Sequence, residues 1–230
     1  MNQIRTKAII LHRTNYSEAD RIVTFLTQEH GKIRVMAKGV RLLKSKLAGG
    51  IELFSITEIG YIQGRGQLGT LISARLIRYY DLIVQDIDRV QLGYEVIKQL
   101  DRAVEDQPEP EYFDLLEEAF KSLNNNKITI DLIRIWFQAQ LLRLSGHTPN
   151  LKTDESGDPL DKSKSYDFNY DIVGFEEHEG GTYSPSDIKF LRLLFLGNTP
   201  QALQVIVNLD KIIPNCQQLV QAMLQTYIRI

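Results

Sequence analysis

The sequence predicts an α+β protein, with a small five-stranded β-barrel first and a helical domain after it. Three observations carry that reading. Short β-rich segments separated by glycine turns fill residues 6–80. Amphipathic helical runs fill most of the chain from Asp86 onward. Between the two the charge changes sign: the first 80 residues carry 13 Lys and Arg against 5 Asp and Glu, and residues 81–230 carry 14 against 24. An asymmetry of that size, hidden within a net charge of −2, points to two domains, 1–80 and 81–230, with different partners.

The first strand is centred on Ala8-Ile9-Ile10-Leu11. Arg21 to Thr27 is rich in β-branched and aromatic residues, and Glu29-His30-Gly31 makes a tight turn after it. In Lys32 to Lys38 the charges at 32, 34 and 38 alternate with Ile33, Val35 and Ala37. A period of two sends the apolar set to one face and the basic set to the other. A basic loop runs from Gly39 to Lys46. Glu52–Tyr61 and Thr70–Tyr79 are the last two strands, with Gly64, Gly66 and Gly69 in the turn between them. Five short strands without a helix of any length suit a small barrel.

Helices follow. Asp86 to Val104 sets Val90, Tyr94, Ile97 and Val104 near one face, and the Asp-Gln-Pro-Glu-Pro run at 106–110 breaks it. Glu111 to Leu123 is amphipathic and ends at Asn124-Asn125-Asn126. Asp131 to Ser145 has almost no polar face, which predicts a buried central helix closed by Gly146. Residues 147–183 form an irregular, cysteine-free insertion: an exposed polar loop over 152–165, then strand-like sequence over 166–175. Ser184-Pro185-Ser186-Asp187 is a helix start, with Ser184 as N-cap. Thr199-Pro200 repeats the device for a helix through Val207, and Pro214 precedes a last helix over 217–227.

Several classes of function are excluded or unsupported. No apolar run reaches the roughly 18 residues of a membrane span. The opening residues, from Met1 to Lys7, lack the pattern of a signal peptide, so a cytoplasmic protein is expected. A single cysteine, Cys216, permits no internal disulfide and no zinc site of several thiolates. It lies near a helix start, where a thiol can be reactive, but a buried structural thiol is the better reading. Gly64-x-Gly66-x-x-Gly69 has dinucleotide-fingerprint spacing, yet a strand, not a helix, follows it. Asp167-x-Asn169-x-Asp171 begins like a calcium loop but has Ile172 and His178 where Gly and Glu are needed. His178 among Glu176, Glu177 and Glu179 has no second histidine nearby. No cofactor, no metal and no enzymatic activity is expected.

The positive signal is the basic set Lys7, Arg13, Arg21, Lys32, Arg34, Lys38, Arg41, Lys44 and Lys46, interrupted by only three acids, Glu18, Asp20 and Glu29. Such a surplus on a small barrel neutralises phosphates and releases counterions. Aromatics on these barrels stack on bases, and Tyr16, Phe25 and Tyr61 are in reach. The plain alternative is a solvated strand face.

The residues Thr6-Lys7-Ala8-Ile9-Ile10-Leu11, Tyr16-Ser17-Glu18-Ala19-Asp20-Arg21 and Glu29-His30-Gly31-Lys32-Ile33 resemble the opening of the bacterial RecO family of DNA repair proteins. The stretch Ala37-Lys38-Gly39-Val40-Arg41, the hairpin at Arg65-Gly66-Gln67-Leu68, the exit at Tyr79-Tyr80-Asp81-Leu82, and Leu141 to Leu151 extend the likeness over most of the chain. The resemblance implies an N-terminal OB-fold and a helical C-terminal domain. It implies a recombination mediator that binds single- and double-stranded DNA and anneals strands coated by single-strand-binding protein. Such a mediator works with RecR to promote RecA loading. Many relatives carry a four-cysteine zinc module. Here Thr153 and Ser156 stand at the first pair of positions, and Thr182-Tyr183-Ser184 replaces the second pair. The 152–165 loop is therefore expected to be looser than a metal-bound counterpart.

On this reading the barrel holds one strand by its phosphates, so a second strand approaches with less repulsion. The helical domain docks partners. The tail of single-strand-binding protein is acidic and ends in apolar residues, so its receptor is an apolar groove with Arg or Lys at the rim. Arg134 and Arg143 are the candidates. The competing reading is an adaptor barrel whose basic face meets RNA or an acidic protein without annealing anything.

Overall fold

A computed structural model describes residues 3–64, 66–104, 109–161 and 163–228. The opening Met1 and Asn2, Arg65 of the expected hairpin, most of the expected break at 106–110, and Lys162 of the polar loop lie outside the described residues. The strands are β1 (Gln3–Tyr16), β2 (Asp20–Thr27), β3 (Gly31–Ala37), β4 (Ser55–Ile62) and β5 (Leu68–Tyr79). They close in the order β1-β2-β3-β5-β4, with β4 pairing back to β1, as an OB-like barrel does. All pairings are antiparallel except the closing one. There β3 meets β5 in parallel over three pairs, Arg34 with Leu68, Val35 with Gly69 and Met36 with Thr70. The first and last strands are longer than the short runs in the sequence suggested, at 14 and 12 residues.

Alternation builds the barrel core. Ala8 and Ile10, Val23 and Phe25, Val35 and Ala37, Ile59 and Tyr61, and Leu71 meet inside, and Val40 and Ile51 join them. The β2–β3 turn is held by Thr27. Its hydroxyl donates to the Gly31 carbonyl (2.8 Å) and accepts from the His30 N–H (3.0 Å), while Gly31 takes φ +63°. One irregularity matters for function. The register slips between Ile10 and His12, which makes Leu11 a bulge residue. Beyond it Arg13, not His12, pairs with the inward Val23. A bulge reverses which side of a strand each later residue faces.

Two helices, α1 (Ile87–Ala103) and α2 (Pro110–Leu123), pack on β1 and β2 respectively. Asp86 caps α1, its side chain accepting from the N–H groups of Asp88 and Arg89. The buried face of α1 is Leu92, Gly93, Val96, Ile97 and Leu100. That corrects the sequence assignment: Val90 is half-buried and Tyr94 is exposed. Phe54, just ahead of β4, is the hinge of this packing. Its ring meets Tyr94 (5.4 Å) and Phe120 (5.7 Å) edge-on, and a Cβ at Gly93 would lie 2.6 Å from it. By compactness the barrel and these two helices form one unit, Met1–Asn126.

The second unit is Lys127–Ile230. Its centre is α3 (Ile130–Leu144), buried from Leu132 to Leu142 except at Arg134, as its apolar sequence predicts. A hairpin of β6 (Tyr166–Asn169) and β7 (Gly174–Glu177) follows, then α4 (Pro185–Phe195), α5 (Pro200–Leu203) and α6 (Leu209–Tyr227). The expected start of α4 holds in full. Ser184 accepts from the Asp187 N–H, and the Asp187 carboxylate accepts from the Ser184 N–H, a reciprocal capping box. Two other boundaries differ from expectation. After Thr199-Pro200 the helix is a single turn, because Val205 and Val207 find no core and remain exposed. The last helix begins at Leu209, five residues before Pro214, because burial of Ile212 and Ile213 outweighs the hydrogen bond that Pro214 does not make. Among the described residues no helix is long and apolar enough to cross a membrane.

Candidate nucleic-acid interface

One end of the barrel concentrates the cations. The chain leaves β3 at Lys38, turns at Gly39 (φ +64°), buries Val40 in the core, and then runs outward through Arg41, Leu42, Leu43, Lys44 and Lys46. Its base is tied to the β1–β2 connection. Gly39 N–H donates to the Asp20 carboxylate (2.7 Å) and Arg41 N–H to the Ala19 carbonyl (3.0 Å). The Arg41 guanidinium donates to the Ser17 carbonyl (3.2 Å). Lys38, Lys44 and Lys46 are exposed and have no hydrogen-bond or ion-pair partner among the described residues. Arg21, paired with Ala37 across the sheet, reaches this end and donates to the Asn15 side chain (3.0 Å). The Leu11 bulge puts Arg13 on the face of its partner Val23. The Arg13 guanidinium donates to the Ile51 carbonyl (3.0 Å), with Glu52 at 3.9 Å.

The remaining three selected cations lie elsewhere. Lys32 and Arg34 are on β3, nearer the Gly31 turn, and line a cleft of about 420 Å³ with His30, Tyr61, Gln63 and Gln67. Lys32 is engaged: its ammonium donates to the Asp101 carbonyl (2.8 Å) and carboxylate (3.1 Å) at the end of α1. Arg34 is exposed and free of such partners among the described residues. Lys7 is exposed on β1 opposite Glu58, which in turn holds Arg75 at 3.2 Å. The outer face of β1 and β2 is not an open basic platform, because Ile9, Leu11 and Leu26 are buried there, where α1 and α2 pack.

Of the three aromatics proposed to stack on bases, two are core residues. Phe25 is fully buried and Tyr61 is 2% exposed, with its phenol pKa pushed up by burial. Tyr16, at the end of β1 beside the loop anchor Ser17, is 53% exposed and is the one left for stacking. Alternation along β2 and β4 could have excluded the other two.

In the second unit the apolar concavity with basic edges is not on α3. Arg134 pairs with Asp131 one turn back (3.1 Å), and Arg143 donates to the Gln140 side chain (2.8 Å). A groove of about 390 Å³ lies instead between Thr148–Lys152 and the end of α4, lined by Leu151, Phe195 and Leu196 with Lys152 and Arg192. Arg192 is fixed by donating to the Leu151 carbonyl (2.6 Å). Sequence reading missed this site because it joins residues some forty positions apart.

The family description "Recombination protein O N terminal" matches residues 1–80, and "Recombination protein O C terminal" matches residues 84–229. The chain belongs to the RecO family. Proteins named DNA repair protein RecO are similar to it. That of Listeria monocytogenes serotype 4b (strain CLIP80459) is 29% identical over 231 residues, which cover 97% of this chain and 87% of the relative. That of Desulfatibacillum aliphaticivorans is 33% identical over 154 residues, covering 66% of this chain and 60% of the relative. That of Roseiflexus sp. (strain RS-1) is 37% identical over 148 residues, covering 64% and 51%. The matches therefore span little more than half the length of the last two.

The zinc module associated with RecO proteins does not fit the residues present. At the first pair of positions Thr153 accepts a hydrogen bond from the Asn150 amide (2.9 Å), and the Ser156 N–H donates to Asp154 (2.9 Å). At the second pair Tyr183 packs edge-on against Phe175 (5.6 Å) and Ser184 caps α4. The one cysteine, Cys216, lies buried inside α6, its thiol pKa raised by that burial. Among the described residues no group of three or more His, Cys, Asp or Glu is placed to hold a metal. An aromatic cluster of Tyr166, Phe168, Phe175 and Tyr183 organises the segment instead.

Proposed function

We propose that this RecO-family chain is a recombination mediator that binds single- and double-stranded DNA, anneals complementary strands coated by single-strand-binding protein, and with RecR promotes RecA loading. The observation that carries the reading is the anchored loop at the barrel end, whose Lys38, Lys44 and Lys46 are exposed and uncommitted among the described residues. Phosphates of one strand replace counterions there, and strand repulsion falls. Base pairing supplies the free energy, so no nucleotide hydrolysis is required. Residues 1–80 are assigned the DNA and residues 81–230 the partners. The groove edged by Lys152 and Arg192 suits the acidic, apolar-ended tail of single-strand-binding protein better than Arg134 and Arg143, because it sets basic side chains beside the apolar lining of Leu151, Phe195 and the exposed Leu196. The work is done in the cytoplasm on nucleoid DNA, and the protein is a binding partner rather than a catalyst.

The test is annealing of complementary oligonucleotides precoated with single-strand-binding protein, in chelator and without nucleotide. Acceleration that fades with salt supports the mediator. Intact binding to naked strands with no acceleration removes annealing from the reading. Tighter binding to RNA than to DNA of the same sequence favours the adaptor alternative.

A further inference from the structure

The basic loop ends in an apolar point. Leu42 is 59% exposed and the next residue, Leu43, is fully exposed. The pair does not dangle. Leu42 N–H donates to the Gly39 carbonyl (3.1 Å) and Ser45 N–H to the Leu42 carbonyl (3.0 Å), so two consecutive turns present the leucines. Leu43 and Lys44 are the central residues of the second turn. Leu42 folds back toward Gly39, where an added Cβ would sit 3.4 Å from its Cδ1. Turn apices in water favour Gly, Pro, Asn, Asp and Ser, each for its own conformational reason. Leucine has none of these reasons, and here it projects a whole aliphatic side chain from a rigid base.

The surroundings indicate what the point meets. Lys38, Arg41, Lys44 and Lys46 flank it, and no acidic residue occurs between Glu29 and Glu52. Of the acids on the connection that anchors the loop, Asp20 accepts from the Gly39 N–H and Glu18 is exposed. Tyr16, the exposed aromatic, stands beside Ser17, to whose carbonyl Arg41 is bonded. Cations ringing an apolar tip match a polyanion whose interior is an apolar stack. Small apolar side chains inserted between base steps unstack them, at a cost that backbone contacts offset.

We propose that Leu43, supported by Leu42, is a wedge that enters the base stack of DNA whose phosphates are held by the flanking Lys38, Arg41, Lys44 and Lys46. The inference rests on the DNA-binding reading above and adds a mechanical step to it: bases are unstacked as the strand is bound, which frees them to pair with a second strand.

The experiment uses the full chain and DNA carrying 2-aminopurine, whose fluorescence stacking quenches, in a single strand and in a duplex. The wild type raises the fluorescence on binding. Leu43→Ser, with and without Leu42→Ser, keeps the charge and therefore the salt dependence of binding, but loses most of that rise. Leu43→Met retains an apolar wedge and retains the rise. Thermal melts of the variants are unchanged, since neither side chain is buried. Serine variants that unstack as well as the wild type overturn the proposal, as does a wild type that binds without any rise. Loss of binding to anionic phospholipid vesicles in Leu43→Ser, with the 2-aminopurine signal intact, reassigns the point to a lipid surface. A wild type that binds no DNA removes the functional reading itself, and the wedge with it.

Discussion

Two kinds of lysine on one barrel should separate cleanly in a salt titration. Lys38, Lys44 and Lys46 are exposed and uncommitted among the described residues, whereas Lys32 donates to the Asp101 carbonyl and carboxylate at 2.8 and 3.1 Å. Each phosphate contact on a single strand adds about 0.7 to the slope of log affinity against log salt, so the triple variant Lys38→Gln, Lys44→Gln, Lys46→Gln should lower the slope by about 2. Over a fourfold rise in salt, the wild type should then lose about 18-fold more affinity than the variant. Arg41 is left in place because its guanidinium holds the Ser17 carbonyl and with it the loop. Lys32→Gln should do the reverse. Its ion pair is partly exposed, with side chains 18% and 38% accessible, so solvent screens much of the charge term. Losing it together with the backbone hydrogen bond should cost about 1 kcal/mol and lower Tm by about 4 °C, without changing the slope. Fluorescence anisotropy with a labelled oligonucleotide and a thermal melt read both effects. An unchanged slope in the triple variant, or a Lys32→Gln slope falling like that of a loop lysine, refutes the division.

Three further outcomes follow from particular contacts. Gly50→Ala places a methyl 2.5 Å from the carbonyl carbon and oxygen of Ala74 in β5, which cannot yield as a side chain can. A loss of about 1–3 kcal/mol is expected, visible by calorimetry, and an unaltered Tm would contradict this close approach. Burial pushes the phenols of Tyr80 and Tyr183 up to about 12. Because the fold favours their protonated forms, the stability they contribute is whole below about pH 10 and declines as pH rises toward 12. Tyrosinate absorbance should show late-ionising phenols, and Tyr80→Phe and Tyr183→Phe should each remove one. Ser184→Ala removes the N-cap of α4 and the hydroxyl that donates to Asp187 (2.7 Å), and should destabilise the helical unit by about 1 kcal/mol in denaturant melts.

What was legible in the sequence was what local chemistry controls. The alternation in β2 and β3, the Gly31 turn, the apolar surface of α3 and the Ser184 cap each depend on residues within a few positions of one another. Tertiary packing decided what was not. Pro214 reads as a boundary, yet Ile212 and Ile213 hold the preceding turns in the helix. Thr199-Pro200 reads as a full helix start, yet nothing receives Val205 and Val207. The Leu11 bulge leaves no mark in the sequence, and it decides which face of β1 Arg13 takes. For the candidate site, the charges were visible but their commitments were not. Asp101 lies 69 residues from Lys32, and only the fold brings the two together. The Leu42–Leu43 pair was in plain view inside a basic loop, and its exposure distinguishes it from a core anchor such as Val40.

The three parallel pairs between β3 and β5 give the barrel a latch. Without them the strands still form one continuous antiparallel strip, in the order β3-β2-β1-β4-β5, with every other pairing intact. Gly69 sits in the latch, where a Cβ would come within 2.9 Å of the Ile62 carbonyl and 3.3 Å of Val35. Every other seam of the strip is held by six or more residue pairs, and closure by only three, so the strip uncurls here first. Breathing of this barrel is then a single seam opening and closing along Arg34–Met36, while the long β1–β2 and β1–β4 ladders keep their protection against hydrogen exchange.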